Sequence, residues 1–210
     1  MGKTNKMKNT LLFALFSVGF SQELIPDIIE RYDNGNIKIM TYHKAIRNTT
    51  EKVKYVEYYY NGRKKEEGTY RNGTEDGVWT HWYENGRKQG EKIYKSGKYD
   101  GLWTWWYGSG KKARIETYKD GEKVSQASWY ENGRKSRVEN YKDGKFDGLF
   151  TEWLWDGQKS SEGIYINGKY DGLWLIWHDN GGKKEEKKYN DGELISKECW
   201  DKYGTPEACN

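Results

Sequence analysis

The glycines Gly62, Gly86, Gly110, Gly133, Gly157 and Gly181 follow one another at intervals of 24, 24, 23, 24 and 24 residues. Only a repeat architecture keeps such a register. Eight residues after each stands a tyrosine (Tyr70, Tyr94, Tyr118, Tyr141, Tyr165, Tyr189), and three residues further another glycine (Gly73, Gly97, Gly121, Gly144, Gly168, Gly192). Four residues before each stands an aromatic: Tyr58, Trp82, Trp106, Trp129, Trp153 or Trp177. We number the units one to six by the first glycine set. Each unit reads as a strand, an Asn-Gly or Asp-Gly turn, a second strand through the tyrosine, and another glycine turn, which is hairpin chemistry. Helix is excluded on cost, because a glycine inside a helix is worth about 1 kcal/mol against it.

The expected fold is all-β: an elongated single-layer antiparallel β-meander of repeated hairpins, about 24 residues per unit. Some 14 strands at a spacing of about 4.8 Å give a length on the order of 65 Å. Composition agrees, with 34% hydrophobic and 32% charged residues, too little for a thick core, and 11 Trp and 18 Tyr against 5 Phe. Rings with a polar edge suit a thin layer in which each is half buried.

Organisation along the chain follows from the register. Residues 1–21 place Lys3, Lys6 and Lys8 before an apolar run from Leu11 to Phe20, then Gly19 and Ser21 spaced as a cleavage site needs. This is the pattern of a secretory signal peptide, too short to span a bilayer, and it predicts a secreted or periplasmic protein cleaved near Ser21. Without that segment the formal net charge falls from +4 to +1, which argues against a nucleic-acid partner. Residues 22–54 form a degenerate first repeat or N-terminal cap, with Gly35 27 residues before Gly62. Residues 55–192 hold the regular units, and 193–210 a capping hairpin. Cys199 and Cys209 lie five residues either side of Gly204. A loop centred there sets them across from each other, so a disulfide is expected in an exported chain.

The recurring pattern, seen in DGVWTHWYENG, DGLWTWWYGSG, DGLFTEWLWDG and DGLWLIWHDNG and followed by segments such as YKDGK, resembles the bacterial variant of the MORN repeat found in proteins labelled YwqK-family antitoxins. The resemblance covers residues 55–204. It implies single-layer hairpin repeats and non-catalytic roles: protein interaction, membrane association, or neutralisation of a toxin. Unit four departs from the pattern, since the segment from Gly121 to Trp129 is one residue short, lacks the Asp-Gly pair and carries Gln126 where others have Trp or Phe. A local irregularity or bend is expected there.

No catalytic, cofactor or metal site is expected. His43, His81 and His178 are scattered over different units, and phosphate loops and nucleophile elbows are absent from the sequence. Asp76, Asp100, Asp147 and Asp171 form a possible ladder of calcium ligands, but each directly precedes glycine, where Asp serves turn geometry. The informative feature is the alternation of the first strand. One face carries Val78, Thr80, Trp82; Leu102, Thr104, Trp106; Leu149, Thr151, Trp153; and Leu173, Leu175, Trp177, a regular row expected to be the packing seam. The other carries Trp79, His81, Tyr83; Trp103, Trp105, Tyr107; Gln126, Ser128; Phe150, Glu152; and Trp174, Ile176, varying at its centre. Trp79, His81, Tyr83, Trp103, Trp105, Tyr107, Glu152 and Ile176 are therefore the candidate partner-binding face, with tolerated solvent exposure as the alternative explanation. Trp82, Trp106, Trp129, Trp153 and Trp177, with the six tyrosines, are read as structural. The expected role is an exported, non-enzymatic scaffold for an unidentified protein partner, with a toxin among the possibilities. Cell-wall glycan or choline binding through the aromatic face and anionic-lipid contact are alternatives.

Overall fold

The computed structural model describes residues 23–209, so the proposed signal peptide lies outside the described residues. Every regular element among them is a strand, and all belong to one antiparallel sheet of 19 strand segments. The pairings follow chain order, from Leu24–Arg31 against Ile37–Ile46 to Glu193–Trp200 against Pro206–Glu207, which is a pure meander.

Two turn types alternate, each set by its residues. In the first, the Tyr83 and Arg87 backbones close a loop (2.8 Å), Gly86 adopts φ +88°, and the Asn85 side chain accepts the Arg87 amide at 2.9 Å. Glycine there avoids the cost other side chains incur at positive φ. The second is a two-residue turn with both central residues left-handed, as at Asn72 and Gly73 (φ 51° and 78°), whose twist matches that of the flanking strands. The Asp-Gly pairs at Asp76, Asp100, Asp147 and Asp171 make neither turn. At Asp76-Gly77 the chain bulges between the segments Thr74–Glu75 and Gly77–Trp82, inserting two residues opposite the continuous strand Lys64–Arg71. Unit four lacks the pair, and its expected irregularity is a smaller one: Glu122–Trp129 runs unbroken, with a one-residue shift opposite Thr117 and Tyr118.

Neighbouring units are pinned along both edges. The carboxylates of Asp76, Asp147 and Asp171 accept the backbone amides of Ser96, Asn167 and Asp191 in the next unit's turn, at 3.1, 3.0 and 3.1 Å. On the other edge the hydroxyls of Tyr59, Tyr83, Tyr107 and Tyr130 donate to the carbonyls of Trp82, Trp106, Trp129 and Trp153 at 2.6–2.8 Å. Leu154 stands at that position in unit five and has no hydroxyl to donate.

The caps differ from the units in physical ways. The N-terminal strands Ile37–Ile46 and Thr49–Tyr58 are ten residues long, against eight in Lys64–Arg71, which accounts for the wider spacing of Gly35 and Gly62. At the other end Cys199 and Cys209 are disulfide-bonded with Cα atoms 5.4 Å apart. The register is not the one expected: Cys199 lies opposite Glu207 and Trp200 opposite Pro206, so the hairpin centres on Tyr203 and the bridge closes diagonally.

Candidate interaction face

The buried centre of the sheet is a row of indoles. Trp79, Trp103 and Trp174 are each 6% exposed, all on the face expected to meet a partner. Their cross-strand neighbours make room for them. A Cβ at Gly68 would fall inside the Trp79 ring, and one at Gly163 inside the Trp174 ring, while Trp103 lies under the Lys92 ammonium at 5.1 Å. Each indole N–H is satisfied by a carbonyl: Thr69, Ile93 and Ile164 at 3.1, 3.3 and 2.9 Å. Half-buried tyrosines brace the indoles, with Tyr70, Tyr118 and Tyr165 at 5.3, 4.7 and 5.0 Å from Trp79, Trp103 and Trp174. Such aromatic pairs contribute about 0.5–1.5 kcal/mol beyond area burial.

This reverses part of the sequence reading. Trp79 and Trp103 are packing and present no open ring to a partner or a sugar. The regular row is the more exposed one at its ends: Val78, Leu102, Leu149 and Leu173 are 51%, 52%, 49% and 48% exposed. Its tryptophans are half buried, and Lys64, Lys112, Lys135 and Lys159 lie over the rings of Trp82, Trp129, Trp153 and Trp177. Constancy along the repeat therefore did not identify the buried face. Tyr83 and Tyr107, also assigned to partner contact, serve as the inter-unit rungs described above.

Trp105, His81, Glu152 and Ile176 remain partly accessible; Trp105 and Glu152 stand on either side of unit four, and His81 stacks on Trp105. Trp105 covers Gly90, where a Cβ would lie 2.7 Å from its ring. It stacks on His81 at 6.3 Å and lies below Lys92 and Arg114 at 5.3 and 5.9 Å. Strand register then places Trp105, Arg114, Ser128, Arg137 and Glu152 in one row, with Trp103, Glu116, Gln126 and Glu139 in the next. The indole row is thus interrupted by charge. On the opposite face the matching positions are apolar, Ile115, Ala127 and Val138, so the two faces exchange character here.

The charges are organised rather than scattered. Glu139, 3% exposed, accepts the Tyr141 hydroxyl at 2.6 Å and an Arg137 N–H at 3.1 Å; Arg137 also grips Glu152 at 2.6 Å. Burial and the Glu139 carboxylate push the Tyr141 phenol well above its ordinary range. Glu116, 7% exposed, accepts the Tyr118 hydroxyl at 3.5 Å and has long ion pairs to Arg114 at 3.7 Å and Lys123 at 3.9 Å. Beside them an open cleft of about 510 Å³ is lined by residues that include Trp105, Tyr107, Arg114, Ser128, Trp129 and Tyr130. The Nε atoms of Trp105 and Arg114 are buried without a hydrogen-bond acceptor. At the patch margin burial, reinforced by Lys92, lowers His81 to about 4, and burial raises Glu66, 3.6 Å from the imidazole.

Arg114, Glu116, Arg137 and Glu139 lie on second strands, to which the alternation of the first strands does not speak. The signal lay in the columns two and four residues before each repeat tyrosine, which read Gly68, Lys92, Glu116, Glu139, Gly163, Lys187 and Glu66, Gly90, Arg114, Arg137, Ser161, Glu185. Glycine there marks an indole neighbour, and the Arg/Glu pairs mark the interruption. Ile176 lies apart, two strands beyond Glu152.

No curated protein matches the chain. A sequence model of the MORN repeat variant matches residues 75–96 and 99–120, the stretch that contributes Trp79, His81, Trp103, Trp105 and Arg114. These two adjacent units, with their hairpin register and paired turn glycines, are MORN-variant repeats, and the described residues form an all-β repeat scaffold around them.

Proposed function

We propose that the chain is an exported, non-enzymatic scaffold that binds a protein partner on the indole face, centred on the charged interruption at unit four. The observation that carries the reading is the exchange of faces: buried Glu116 and Glu139 flank Gln126, which stands at the repeat position of Trp103 and Phe150, and together they interrupt the indole row. Buried ion pairs seldom add stability over packed apolar groups, so recognition is the better reason to keep them. Trp105 and Arg114 are also the residue types that dominate binding hot spots. Export is supported by residues 1–21 and by the disulfide, which persists in oxidising compartments. Within this reading an immunity-like role against a secreted toxin is the specific form suggested by the resemblance to antitoxin-labelled proteins. Expression of the full chain in a bacterial host, with the mass and location of the product measured, should give an envelope or medium species lacking residues 1–21. An uncleaved cytoplasmic product would overturn export. Affinity capture from envelope extract should recover a specific polypeptide at moderate salt, and recovery of none would overturn the scaffold reading.

Membrane-surface contact is the second reading, supported by the exposed row of Val78, Leu102, Leu149 and Leu173 on the other face. Co-sedimentation with phosphatidylglycerol vesicles, lost on Leu102→Ser together with Leu149→Ser, would support it; pelleting no greater than with phosphatidylcholine vesicles would remove it.

A further inference from the structure

We propose that the cleft at unit four is a carboxylate-recognition site for an acidic polypeptide segment, with Arg114 as its binding guanidinium and Trp105 as its apolar wall. The proposal rests on the scaffold reading above and names the chemistry its partner must bring.

The two arginines of the row are in different states. Arg137 is committed, hydrogen-bonded to both Glu139 and Glu152. Arg114 is 43% exposed, its ion pair to Glu116 is 3.7 Å long, and its Nε lacks an acceptor. Trp105, its neighbour in register, has an indole N–H in the same condition. The Arg114 side chain donates no hydrogen bond to another described residue, so the exposed end of its guanidinium is open to an acceptor that enters the cleft. Both residues line the open cleft, and Ser128, in register between the two arginines, adds a hydroxyl.

Charge selects the class of acceptor. Arg137 is held by Glu139 and Glu152 and Lys123 hydrogen-bonds Gln126 at 3.2 Å, which leaves the Arg114 guanidinium as the cation presented to the cleft. A guanidinium and a carboxylate match in planar geometry. Shape selects a polypeptide: the cleft is open and walled by Trp105, Tyr107, Trp129 and Tyr130, which offer contact area to side chains flanking an acidic residue.

The test uses the full chain and a fluorescein-labelled peptide, Glu-Leu-Glu-Gly-Glu-Leu-Glu, with its all-Gln counterpart as control. Fluorescence polarisation should show binding of the Glu peptide, at least about tenfold weaker binding of the Gln peptide, and a similar loss for Arg114→Gln, a tenfold change being about 1.4 kcal/mol. Arg114→Lys should retain part of the affinity. Ser128→Asp, which adds a repelling charge, should abolish it and covers the case in which Arg114→Gln fails to fold. The indole N–H resonance of Trp105, assigned from Trp105→Phe, should change its shift on titration as the cleft wall is covered, while those of Trp79 and Trp174 stay in place. Equal binding of the Glu and Gln peptides, binding unaffected by Arg114→Gln, or absence of binding at about 1 mM would overturn the site. So would binding of polygalacturonate in place of the peptide. If envelope capture still recovers a partner with Arg114→Gln as with the unaltered chain, the carboxylate site fails while the scaffold reading stands.

Discussion

The stretch from Lys64 to Trp106 and the stretch from Lys112 to Lys142 share eight-residue second strands, turns and tyrosine rungs, yet they use their two faces in opposite ways. In the first, Trp79 and Trp103 are buried on one face while Glu67, Thr80, Glu91 and Thr104 line the other. In the second, Glu116, Gln126 and Glu139 continue the indole row and Ile115, Ala127 and Val138 line the other face. The hairpin lattice is therefore indifferent to which face carries the apolar residues. Turn glycines, bulges and inter-unit hydrogen bonds hold the register, and the side chains are left to specify packing in one place and recognition in another.

The comparison breaks most readily where an indole needs space. Gly163→Ala puts a methyl into the Trp174 ring and is expected to cost about 3 kcal/mol, measured by urea unfolding. Gly90→Ala beneath the less buried Trp105 should cost less, and equal costs would mean that the two stretches pack alike. In the charged stretch, Glu139→Ala strands Arg137 and the Tyr141 hydroxyl and should cost about 2 kcal/mol. Arg137→Met with Glu139→Leu should recover most of that loss, because the pair is replaced rather than broken.

Smaller effects sharpen the picture at the edges. Tyr107→Phe deletes the 2.6 Å bond to the Trp129 carbonyl and should cost about 1 kcal/mol; Leu154→Tyr should gain part of that by supplying the missing rung. The pH dependence has a defined sign. His81 binds its proton at about 4 in the fold, against an ordinary value of 6.5. Between those values the unfolded chain binds more protons, so its contribution is full above pH 6.5 and is lost as pH falls towards 4. His81→Gln should flatten this limb by on the order of 1 kcal/mol, the half-exposed ring discounting the effect. Glu66, whose raised value acts in the opposite direction above its ordinary 4.5 and so within the same range, is present in both chains and cancels.

Much of the fold was legible in the sequence. The glycine and tyrosine periods give the meander, and Cys199 and Cys209 give the closing bridge. The face assignment was not, for a reason of register. Asp76-Gly77 inserts two residues opposite a continuous strand, so the alignment of Gly68 with Trp79 cannot be counted along the chain without knowing that the pair bulges. Regularity was also a poor guide to burial. In a single layer a constant Leu102 can sit at a rim while Trp105, unique to its unit, is held over Gly90. Trp105 packs and borders the cleft at once, so Trp105→Ser should lower both stability and peptide affinity.

The most direct test replaces residues 111–133 with a second copy of residues 87–110, exchanging Arg114, Glu116, Gln126 and Ser128 for Gly, Lys, Trp and Trp while keeping the hairpin lattice. The binding isotherm of the labelled Glu peptide is then compared with that of the unaltered chain. A folded chimera that no longer binds the peptide is the predicted result, and a chimera that binds it as tightly as the unaltered chain would contradict the assignment of recognition to unit four.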